Sequence, residues 1–208
     1  MNTTVFFTLC CTSLRRTLAS GLAAACAVLI CAASFAAEPT DISALRVERT
    51  DDGLYLNATH SFELPSVVED ALLKGVPMSF VSEADVYRDR WYWYDKRVAT
   101  ASRNVRLAFQ PLTRRWRIGV VSGTVSSPGS AIALTQNYDT LSEALAAIRR
   151  ISGWKIADNA DIDASARHNI AYRFKLDLSQ LPRPLQIGVV GQSDWNISAE
   201  RTARPEPR

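Results

Sequence analysis

Few side chains in this chain are equipped for chemistry. Its two histidines are His60 and His168, and all four cysteines, Cys10, Cys11, Cys26 and Cys31, fall within the first 31 residues. His60 lies on the apolar side of an alternating run, the setting of a hydrogen-bonded core imidazole. His168 follows Arg167 in a polar stretch and is expected to be solvated. Without paired histidines or a thiol beyond Cys31, a zinc or copper centre would have to be built from carboxylates alone, which suits neither metal. Ser152-Gly153-Trp154-Lys155 has the Ser-x-x-Lys spacing of penicillin-interacting enzymes. It follows a helical pattern instead of opening one, however, and lacks the companion Ser-Asp-Asn and Lys-Thr-Gly elements. Asn159, Asp161 and Asp163 alternate as calcium ligands do, but Ala164 stands where the loop needs Gly and Ile170 where it needs a bidentate acid. There is no nucleophile elbow and no glycine-rich phosphate loop with Lys. The expectation is a protein that is not an enzyme and uses no cofactor or metal.

One segment stands out: Tyr87-Arg88-Asp89-Arg90-Trp91-Tyr92-Trp93-Tyr94-Asp95 places five aromatics within eight residues. Read as a strand over Trp91 to Tyr94 after a corner at Asp89-Arg90, it has more rings than one face can bury, because successive side chains point to opposite sides. Either the second set is covered by a helix or loop, or it forms a docking or sugar-stacking surface in which amphipathic aromatics stand beside arginine. The candidate binding residues are Arg88, Arg90, Trp91, Tyr92, Trp93 and Tyr94.

The elements that must position them are mostly strands. Period-two alternation predicts strands over Ile42 to Thr50 and Leu54 to Leu64, joined by an Asp51-Asp52-Gly53 turn, then Met78 to Arg88, Val98 to Gln110, Trp116 to Val125, Ile170 to Leu178 and Leu185 to Val190. Ser126 to Ser130 reads as a loop. Pro65, the Ser66/Glu69 pair and Gly75 bracket a short helix with Val67, Val68, Ala71 and Leu72 as its apolar stripe. Thr140 and Glu143 open a second helix over about Leu141 to Ile151, with Arg149-Arg150 at its negative end and Gly153 as its stop. The fold class is mainly β: an antiparallel β-sandwich-like single domain with two short helices.

The N-terminus reads as an export signal over residues 1–36. Arg15-Arg16 precede an uncharged apolar run from Thr17 to Ala37, and Ser34 and Ala36 suit a peptidase that cuts before Ala37. A run of this length also suits an uncleaved membrane anchor. Neither the lipoprotein nor the twin-arginine pattern fits, which leaves general secretion to the periplasm. Residues 37–200 form the β-rich domain, and the tail 201–208, with two prolines and little apolar content, is expected to be disordered. Without the leader the net charge is +1, which gives no support to nucleic-acid binding. Charge is nevertheless uneven: 96–138 holds seven basic residues and no acid, while 37–95 holds twelve acids and five basic residues. Hairpins of opposite charge that satisfy one another across strands are the first account, and a dedicated anion site the second.

Gly75-Val76-Pro77-Met78-Ser79-Phe80, Arg90-Trp91-Tyr92-Trp93, Tyr138 to Leu145, and Leu176 to Leu185 followed by Trp195 resemble the domain of unknown function 4390 family of exported proteins from Gram-negative bacteria. Tyr138 stands where the family pattern has Phe, a departure expected to touch packing only. The resemblance implies a periplasmic, signal-bearing protein often encoded beside a nitrogen-regulation-type sensor kinase, and carries over no catalytic residue. Together with the aromatic segment, it points to a non-enzymatic periplasmic domain that binds a membrane sensor kinase or another envelope protein. The second expectation is a small-ligand or envelope-glycan binding module.

Overall fold

Leu54, Leu56, Ala58, His60 and Phe62 alternate with polar neighbours, and each is buried. In the computed structural model, which describes residues 40–90, 92, 94–124, 132–163, 165–183 and 195–206, this run as far as His60 lies in β2 (Gly53–Ser61), which ends before the expected Leu64 with Phe62 just beyond it. It lies between β1 (Asp41–Thr50) and β7 (Arg150–Asp158) in a three-stranded antiparallel sheet. The second sheet has six strands in the order β6 (Ile132–Tyr138), β5 (Arg115–Thr124), β4 (Lys96–Gln110), β3 (Met78–Arg88), β8 (His168–Asp177) and β9 (Ser198–Ala203), again all antiparallel. The protein is thus mainly β, with two antiparallel sheets and two helices in a single domain. Among the described residues no helix is long and apolar enough to cross a membrane. The export segment lies outside the described residues, as do the 126–130 loop and the Leu185 to Val190 strand.

The inward faces of the two sheets share one core. Phe62 from the small sheet's side meets Phe80 and Phe174 of the large sheet, with ring centroids 5.4 to 5.9 Å apart across the three pairs. Such tilted and stacked rings add to the gain from area removed from water. The cross-strand ion pairs lie on the outward face: Arg173 bridges Glu83 and Glu200, and Lys175 also reaches Glu83.

Several elements differ from expectation, each for a local reason. Helix α1 (Ser66–Leu73) has Pro65 at its N-cap and no side-chain cap, so Ser66 is already inside the helix and its spacing to Glu69 no longer makes a box. Its buried residues are Val68, Ala71 and Leu72, while Val67 faces solvent. Helix α2 (Leu141–Arg149) does carry the box: Thr140 Oγ1 accepts from the Glu143 N–H, and Glu143 accepts from the Thr140 N–H. Thr140→Ala is expected to lower stability by about 1 kcal/mol in urea melts, with Thr140→Ser close to wild type.

Gly153 does not end α2. The chain turns directly into β7, where Gly153 has φ +61 and its N–H donates to Asn57 Oδ1 at a register irregularity with β2. β6 carried no alternation clear enough to be read. The tail is also corrected: Arg201–Ala203 belong to β9, which pairs with β8, and the Glu206 N–H donates to the Val47 carbonyl. Arg201 donates to the Ile42 carbonyl as well. Backbone pairing with β1 and β8, not apolar content, orders this segment and ties the edges of the two sheets together.

Candidate functional site

β3 and β4 pair without interruption from Met78↔Leu107 to Val86↔Ala99, pass an irregularity, and part after Arg88↔Lys96. Of the candidate segment, Arg88 therefore ends β3, and the described residues 89, 90, 92, 94 and 95 fall in the connection between β3 and β4, outside any strand. Its base is held by the Asp89 N–H, which donates to the Arg167 carbonyl at 3.0 Å, and by the Arg90 N–H, which donates to Asp95 Oδ1 at 3.3 Å. Arg88 is half-buried at the end of β3 and pairs with Asp163 at 3.8 Å. Asp163 also accepts from the Ser165 hydroxyl and N–H, which hold its carboxyl below the usual carboxylate range. Arg90 is exposed, and Tyr92 and Tyr94 are 70% and 88% exposed. Trp91 and Trp93 lie outside the described residues. Of the candidates described, Arg90, Tyr92 and Tyr94 share one outward loop, and Arg88 instead braces its base.

His168, expected in solvent, is 5% exposed. It opens β8 opposite Arg88 at an inward position, and burial, with Arg49 and Arg88 adding, pushes its pKa down. Its Nε2 is buried without a hydrogen-bond partner among the described residues.

His60 is a satisfied core histidine. Its Nδ1 lies 3.0 Å from the Arg149 carbonyl, which can only accept, so Nδ1 carries the proton and Nε2 accepts from the Tyr172 hydroxyl at 2.6 Å. Ser82 Oγ, 3.1 Å from the same Tyr172 oxygen, completes the chain. Phe174 stacks on the imidazole at 4.2 Å. Burial lowers His60 to about 4 and raises Tyr172, so neither group is poised to exchange a proton near neutrality. The Ser82 hydroxyl reaches the imidazole only through Tyr172. Sequence reasoning missed this chain because its members come from β2, β3 and β8 and share no local spacing. No group of three or more acids or histidines among the described residues is placed to hold a metal ion.

The charge asymmetry is only partly answered across strands. Of the basic residues of 96–138, Arg97 pairs with Asp85 and Arg115 with Asp139, whereas Glu83 is taken up by β8. Tyr138, where Phe was expected, is half-buried and gives its hydroxyl to Gln136 Oε1 at 2.6 Å.

Fold and loop together define a two-sheet antiparallel β domain that presents an aromatic-arginine hairpin tip. Over residues 37–204 the chain matches the model of the family described as Domain of unknown function (DUF4390), and it belongs to that family. No curated protein and no solved structure gives a significant match.

Proposed function

We propose that this chain is a non-enzymatic periplasmic domain that docks on a protein of the cell envelope through the tip of the β3–β4 hairpin. A membrane sensor kinase is the first candidate partner. The observation that carries this reading is the exposure of Tyr92 and Tyr94, two large amphipathic side chains on one loop beside Arg90. Tyrosine and arginine are the residues enriched where protein interfaces concentrate their energy. Among the described residues nothing walls in Tyr94, which is 88% exposed, whereas ligand sites for small molecules are concave. This favours a protein surface over a sugar. Delivery to the periplasm follows from the export signal read in residues 1–36, either cleaved or retained as an inner-membrane anchor.

The test is in-cell crosslinking of the tagged full-length protein, with mass spectrometry of what is captured. If both tyrosines are anchors, Tyr92→Ala/Tyr94→Ala is expected to cut capture of the dominant partner by roughly 30-fold or more, with the melting temperature unchanged. Equal capture by the folded double variant would overturn the reading. Saturable binding of envelope-glycan fragments by wild type, lost in the double variant, would replace it with the glycan-binding alternative.

A further inference from the structure

The inward series of β4 runs Ala99, Ala101, Arg103, Val105, Leu107, Phe109, so one arginine interrupts a face that is otherwise apolar. Arg103 sits opposite Ser82 of β3 on one side and Ser122 of β5 on the other. Tyr172, the neighbour of Ser82 through its hydroxyl, stands two residue pairs along on β8, opposite Ala84. Arg103, Ser82, Ser122 and Tyr172, from four adjacent strands, thus share the inner face of the large sheet.

Among the described residues no acid pairs with Arg103. The acids of β3 and β8, Glu83, Asp85 and Asp177, occupy outward positions, and β4 and β5 contain none. Among the described residues Arg103 makes no ion pair, and its Nε is buried without a hydrogen-bond partner. The side chain is nevertheless only partly buried, so solvent reaches part of it. Burial pushes the guanidinium below its ordinary range, opposed by Tyr172 nearby. A charge partly withdrawn from water without a counter-charge is costly unless something pairs with it.

We propose that Arg103, with Ser122 beside it, binds the anionic group, carboxylate or phosphate, of a small ligand. The guanidinium fork matches either oxyanion in a bidentate manner, and the half-buried Ser122 hydroxyl, across the strand pair from Arg103, can donate to a remaining oxygen. The site is separate from the hairpin tip and does not depend on the docking role proposed for it.

The experiment follows the Arg103 Nε–H resonance of the isotope-labelled protein recovered from the envelope, during titration with octanoate, acetate and inorganic phosphate. The expected result is a saturable shift. Loss of charge-assisted bonds in Arg103→Gln should weaken binding by about tenfold or more, with Arg103→Lys between the two. Octanoate binding well ahead of acetate supports an amphipathic carboxylate, and phosphate binding ahead of both supports a phosphorylated ligand. No saturable shift with any of the three at millimolar concentration, or a folded Arg103→Gln that binds as wild type does, overturns the proposal. The wild-type titration decides the matter even if the variants fail to fold.

Discussion

Acidification from pH 7 to pH 4 is expected to remove about 3 kcal/mol of stability through His60 alone. The imidazole titrates near 6.5 when unfolded and about 4 in the native core, where burial disfavours its charged form. The native state therefore binds fewer protons across this window. The stabilising contribution is complete above about pH 6.5 and lost as pH falls through the folded value near 4. Protonation would also place a hydrogen on Nε2, which now accepts from Tyr172, so the His60–Tyr172–Ser82 chain could not persist unchanged. His168 is shifted in the same direction, and a wild-type acid titration reports both. Urea melts of wild type and His60→Phe at pH 7, 6, 5 and 4 separate them. The variant should be the less stable protein at pH 7, because the Arg149 carbonyl and Tyr172 hydroxyl lose a partner. The gap should shrink by about 3 kcal/mol at pH 4. A gap that stays constant with pH would show that His60 does not titrate as a buried imidazole.

The second large effect is expected at Gly53. The tight turn between β1 and β2 is Asp51-Asp52, and Gly53 is the first residue of β2, paired with Thr50 on one side and Asp158 on the other. Its φ is +147, and a Cβ there would lie 2.0 Å from the Ala157 carbonyl oxygen. No real pair of atoms tolerates that distance, so β7 would have to move away from the centre of the small sheet. Gly53→Ala is expected to cost roughly 3 kcal/mol or more, since backbone strain adds to the clash. Gly75 is the control: φ is +84 and a Cβ there would meet nothing within 4 Å. Gly75→Ala should cost only the left-handed backbone penalty of about 1–2 kcal/mol. Equal losses for the two variants in denaturant melts would mean that the close approach of Gly53 to β7 is not a feature of the folded protein.

Much of the fold could be read from local pattern. The alternation of Leu54 through His60 gave the inward face of β2, Met78 to Arg88 was bounded correctly as β3, and the Thr140/Glu143 box located the start of α2. These features are local: each depends on residues a few positions apart, and the chain adopts them wherever it goes. β7 was hidden because Arg150 to Gly153 also reads as the end of a helix. What makes it a strand is pairing with β2 and the bond from Gly153 to Asn57, 96 residues away. β9 was hidden because Ser198–Ala203 buries little, and its order comes from backbone bonds to β8.

The candidate site divides along the same line. Composition was enough to single out the aromatic-arginine segment, because so many rings in so few residues exceed what one strand can cover. Composition could not say that β3 and β4 part at Arg88 and Lys96, which turns the segment into a hairpin tip and leaves Tyr92 and Tyr94 in solvent. The interior polar row lies between these cases. Arg103 interrupts the series from Ala99 to Phe109 visibly in the sequence, but its neighbours Ser82, Ser122 and Tyr172 arrive from three other strands.

Periodicity, caps and composition therefore determined which segments bury one face, and which residue types were left over for recognition. Only the tertiary structure decided which strands lie side by side, and with that which polar groups share a row and which aromatic side chains stay in water. The physical reason is that strand pairing joins residues far apart in the chain through backbone bonds that any side chain permits, so neighbours across a sheet leave little trace in local spacing.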